Sequence, residues 1–148
     1  MKRIFDYILR SDPASEAMSD TTHFLNVDLE LYSKSDLQPL VTFMSKRVSV
    51  LYVGRERRMY CAKVELGKYT KDADSTIRGL CALIRSLPAP YREMWDAAKV
   101  RDFSIGVEAG TKTSVHDIVI EQETVKAVSE LNARIIFTVY ASMRTNEL

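Results

Sequence analysis

Residues 24–32 read FLNVDLELY, with Leu25, Val27, Leu29 and Leu31 alternating against Asn26, Asp28 and Glu30. Successive side chains of a strand point to opposite faces, so this period of two describes a strand with one dry face and one wet face. Such a strand belongs in a sheet covered on one side, because strands covered on both sides read as nearly unbroken apolar runs. The pattern also sets two carboxylates on the wet face. Side chains two positions apart on one strand stand about 7 Å apart. Asp28 and Glu30 are therefore too far from each other to share a proton without a third group.

The same two periods organise the rest of the chain. Ser35 followed by Gln38 has the spacing of a capping box, and Leu37, Leu40, Val41 and Met44 give the stripe of a helix of about ten residues. VSVLYV and MYCAKVEL flank a charged stretch, Gly54 to Arg58, as a hairpin does. Ile77, Leu80, Cys81 and Ile84 recur at helical spacing until Pro88 and Pro90 forbid continuation, and Tyr91, Met94, Trp95 and Ala98 mark a short second helix. Residues 102–108 alternate as a strand, with VHDIVIE expected as its hairpin partner. Val125, Val128 and Leu131 form a last helical stripe closed by Asn132. The final run, ARIIFTVYA, is nearly all apolar and is expected in the centre of the sheet.

These elements predict an α+β fold: a two-layer sandwich with a mainly antiparallel sheet of about six strands and three or four helices on one face. An α/β arrangement with helices on both faces fits less well, because four strands alternate. Residues 1–17 are expected as an N-terminal helical arm and linker, with Ile4, Phe5, Ile8 and Leu9 as its apolar stripe. Residues 18–142 then form one domain, and 143–148 a frayed tail.

Composition narrows the function classes. A chain of 148 residues buries enough surface to fold without a metal or disulfide framework. Its 21 Lys and Arg stand against 20 Asp and Glu, so no overall field favours nucleic acid or an anionic membrane. Cys61 and Cys81 sit inside apolar elements and read as core thiols of a reducing compartment. There is no apolar run long enough to span a bilayer, and Asp6 and Arg10 interrupt what would be a signal sequence, so a cytoplasmic location is expected. The five glycines make neither GxGxxG nor a P-loop, and GxSxG, HExxH and CxxC are absent. No cofactor or metal is expected.

Three groups remain as candidates. On the wet sheet face Asn26, Asp28 and Glu30 are joined by Lys63 and Glu65, Ser104 and Glu108, and Arg134, Thr138 and Tyr140; paired carboxylates near a tyrosine act as acid and base only where burial separates their pKa values. Arg55, Arg57 and Arg58 at the hairpin tip form the one concentrated basic stretch, without the exposed aromatics that nucleic-acid binders add. His23 and His116 stand apart, and His116 and Asp117, adjacent on a strand, would point to opposite faces. The binding candidates are accordingly Asn26, Asp28, Glu30, Arg55, Arg57, Arg58, Arg134 and Tyr140.

With LCALIRSLPAPYREMW upstream, the segment SELNARIIFTVYA resembles small bacterial domains of unknown function, some of them encoded beside toxins as immunity-type proteins. The resemblance spans residues 24–141 and rests on core and turn positions. Thr138 stands where such strands often carry an acidic residue, and no catalytic residues carry over. The expected function is a non-enzymatic, immunity-like or regulatory domain that binds another protein or itself through the polar sheet face or the Arg55–Arg58 tip. The alternative is a small-molecule binder or enzyme with a pocket lined by Asp28, Glu30, Tyr140 and Arg134.

Overall fold

The computed structural model describes residues 21–112 and 115–142. Along them run β1 (His23–Ser33), α1 (Gln38–Met44), β2 (Val48–Glu56), β3 (Met59–Leu66), α2 (Ala73–Arg85), α3 (Ala89–Ala97), β4 (Val100–Glu108), α4 (Gln122–Glu130) and β5 (Arg134–Tyr140). The strands form one sheet in the order β2-β3-β1-β4-β5. β1 is antiparallel to both β3 and β4, β2 is antiparallel to β3, and β5 runs parallel to β4. The fold is α+β with a mixed sheet, five-stranded among the described residues.

Alternation in β1 decides which face is dry. Val27, Leu29 and Leu31 are buried, and register sets them beside Val64 and Ala62 of β3 and Ile105 and Phe103 of β4. The helices close over this face with Leu40, Val41 and Met44 from α1, Ile77, Leu80 and Ile84 from α2, Trp95 from α3 and Val128 from α4, all in one core. Each such large side chain contributes roughly 1.5–3 kcal/mol by leaving water. Trp95 keeps its polar handle satisfied by donating from Nε1 to the Leu131 carbonyl at 3.2 Å.

Helix ends follow local chemistry. The Asp72 carboxylate accepts the Ser75 amide at 2.7 Å and starts α2, which stops at Ser86, ahead of Pro88 and Pro90. At α1 the expected Ser35–Gln38 box does not form. Asp36 accepts the Gln38 amide at 2.9 Å, Leu37 takes the N-cap position without a side-chain bond, and the helix has seven residues. Asn132 ends the segment after α4 in the left-handed region, at φ 52°, as a C-terminal cap residue. Val125, expected on the buried stripe of α4, faces outward.

Two strand expectations are corrected. Residues 115–121 form no strand: β4 has two ladder edges, one held by β1 and the other by β5, so no edge is left for them. Ile118 and Ile120 instead pack on the core from an irregular segment, and the Glu121 amide is tied to Asp74 Oδ1 at 2.9 Å. Among the described residues the apolar run at 134–140 is an edge strand. Ile135 reaches the core, while Phe137 and Val139 are 54% and 65% exposed. The expected arm at 1–17 and tail at 143–148 lie outside the described residues.

Candidate functional site

The sheet face turned away from the helices is built in cross-strand rows. Glu65, Asp28 and Ser104 stand side by side on β3, β1 and β4. Lys63, Glu30, Asp102 and Arg134 form the next row, extending onto β5. On the other side of the first row Asn26 lies beside Gly106, which in turn neighbours Thr138. These polar side chains are mostly half-buried.

One amide organises the first row. Asn26 Nδ2 donates to Asp28 Oδ1 at 2.5 Å and to Glu65 Oε1 at 2.7 Å, so the two carboxyl oxygens lie no further apart than those bonds laid end to end. Two ionised carboxylates that close repel strongly, and one of them gains by holding a proton. Asp28 is that one. Burial, then the charge of Glu65 and a hydrogen bond to it, then the charge of Glu30, push its carboxyl up to about 7 against the opposing pull of Lys63. The Asp28 carboxyl therefore gains and loses its proton near neutral pH.

Gly106 makes room for this arrangement. A Cβ there would stand 2.7 Å from Asn26 Oδ1 and 3.6 Å from Tyr140 Cε2. The absent side chain is the slot in which the Asn26 amide lies, with the Tyr140 ring beside it. Burial, and then the charges of Asp28 and Glu30, raise the Tyr140 hydroxyl above its ordinary value.

The second row is conventional ion pairing. Lys63 Nζ lies 3.4 Å from Glu30. Arg134 donates to Asp102 in bidentate fashion, at 2.8 Å from Nε and 2.9 Å from Nη2, and the nearly buried carboxylate raises the guanidinium pKa. Ser104 Oγ and Thr138 Oγ1 are 3.4 Å apart.

Of the candidate residues, Asn26, Asp28, Glu30, Arg134 and Tyr140 thus share one face. Arg55, Arg57 and Arg58 do not join them. They occupy the β2–β3 hairpin tip, six residues along β3 from Glu65, or roughly 20 Å. There Arg55 lies over the Tyr60 ring at 5.0 Å, and Arg57 adopts φ 58° in the turn. His23 bonds the Thr21 carbonyl at 2.9 Å and approaches Glu108 at 3.7 Å, whereas His116 is exposed in the segment before α4. Cys61 and Cys81 are free, buried thiols, the latter pushed by burial up to about 11. Among the described residues no group of three His, Cys, Asp or Glu has the geometry to hold a metal ion.

Glu65 is the residue that sequence reasoning placed on this face without assigning it a part. Alternation in MYCAKVEL sets it on the wet side, but only the β1–β3 register makes it the third group that Asp28 lacks on its own strand. Two clefts, of about 200 Å³ beside Ser33 and Met94 and about 470 Å³ beside Leu66 and Ala82, lie elsewhere. Neither is lined by Asp28, Glu30, Glu65 or Tyr140. The arrangement can take up and release a proton near neutrality and can offer donors and acceptors in fixed rows. Among the described residues no helix is long and apolar enough to cross a membrane. No protein-family model, curated protein or solved structure matches the chain.

Proposed function

We propose that this is a non-catalytic binding domain whose polar sheet face receives another protein, in the manner of an immunity-type or regulatory partner. The observation that carries the reading is the organisation of that face. Asn26, Asp28 and Glu65 are locked together by one amide, and Glu30, Lys63, Asp102 and Arg134 are paired in register. A pre-organised polar surface loses little conformational entropy when it is covered, which favours specific association. The carboxyl pair supports a pocket enzyme less well, because neither cleft reaches it.

Photo-crosslinking tests this in cells producing the full chain. Benzoylphenylalanine replaces Ser104 or Tyr140 on the sheet face, and Lys126 on α4 as the control. A protein adduct from the two sheet positions, absent from Lys126 and weakened by Asp28→Ala with Glu30→Ala, is expected. Adducts confined to Lys126, or none from the sheet face, would contradict it.

A further inference from the structure

The larger cleft, about 470 Å³, lies where the end of β3 and the α1–β2 turn face α2. Its floor is apolar and shallow: Leu66, Ala82 and Leu83, with Gly79 leaving the wall low. A Cβ at Gly79 would stand 2.8 Å from Leu66 Cδ2, so the glycine admits Leu66 to a helix in which it otherwise costs about 1 kcal/mol. The opposite wall is held by backbone. Gly67 donates to the Arg47 carbonyl at 2.8 Å, and a side chain at Gly67 would meet that same oxygen at 2.8 Å.

The rim is cationic on an otherwise balanced chain. Lys46, Arg47 and Lys68 come from two different segments, and the lining holds no acidic residue. Among the described residues none of the three is paired with a carboxylate, whereas Lys63, Arg78, Arg85, Arg92, Lys126 and Arg134 all are. Arg47 reaches across the cleft to donate to Ser86 Oγ at 3.4 Å.

From this charge complementarity we infer that the cleft is a docking groove for an acidic peptide segment of a partner protein, one apolar side chain on the Leu66–Ala82 floor and flanking carboxylates on Lys46, Arg47 and Lys68. Nucleic acid fits less well, since no aromatic side chain lines the cleft for base stacking. A compact small molecule fits less well too, because most of the lining is exposed and would leave it largely in water. The inference is independent of the sheet-face reading and stands or falls separately.

Amide chemical-shift titration of the full-length, isotope-labelled protein with acetyl-Glu-Glu-Leu-Glu-Glu-amide tests it. Shifts at Gly67, Lys68, Gly79, Ala82 and Ser86 are expected, fading as salt is raised from low to high. The Gln-Gln-Leu-Gln-Gln counterpart should produce none. Lys46→Glu and Lys68→Glu should each weaken the peptide about fivefold, and Arg57→Glu at the hairpin tip should not. Equal binding of the glutamine peptide, shifts centred on Arg55 to Arg58, the same shifts at equal affinity from inorganic phosphate, or no shifts would each overturn the proposal.

Discussion

At the scale of single residues the sheet face turns on three side chains and one missing side chain. Asp28 holds its proton because burial and the neighbouring Glu65 disfavour its charge, and Asn26 keeps the two oxygens together. Carbon-detected titration of the Asp28 carboxyl should show a midpoint near 7. Glu65→Gln removes the neighbouring charge but not the burial, so it should lower that midpoint by about one pH unit and leave it above the ordinary carboxylate range. An unchanged midpoint would mean that Glu65 plays no part. Gly106→Ala pushes against the Asn26 amide, and a loss of about 1–3 kcal/mol in urea unfolding is expected, with the Asp28 midpoint displaced as well.

Among the elements, the segment between β4 and α4 depends on one carboxylate. Asp74 in the first turn of α2 accepts the Glu121 amide and pairs with Arg78. Asp74→Ala strips both, and a destabilisation of about 2 kcal/mol by chemical unfolding is expected, with Ile118 and Ile120 losing amide-exchange protection. The β2–β3 turn gives the opposite sign. Arg57 sits in the left-handed region that glycine adopts freely, so Arg57→Gly should raise stability by about 0.5 kcal/mol, read from the thermal midpoint. Element type was legible wherever a period of two or of 3.6 ran unbroken, as in 24–32 and 77–84. It failed at 115–121, where apolar residues recur but every ladder edge of β4 is already taken. It failed again for the position of 134–140, because apolarity alone does not separate a central strand from an edge strand left partly uncovered. The shared face of Asn26, Asp28, Glu30, Arg134 and Tyr140 followed from alternation. Its key contact did not, since Asp28 meets Glu65 only through a register between strands distant in sequence.

For the whole molecule, a raised carboxyl couples the sheet face to folding. The unfolded chain releases the Asp28 proton near the model-peptide value of 3.8, and the folded chain near 7. Between those values the folded state binds the extra proton, so this group's contribution to stability falls as pH rises through the window and levels off above it. Asp28→Asn keeps a neutral side chain of the same shape and removes the coupling. The direct measurement is urea unfolding of the wild-type protein and Asp28→Asn from pH 4 to pH 8. The two should be about equally stable at pH 4, with the variant pulling ahead to roughly 2 kcal/mol by pH 8, a figure reduced for residual solvent screening. Parallel curves across the range would contradict a raised Asp28 carboxyl, and with it the view of this face as a pre-organised surface.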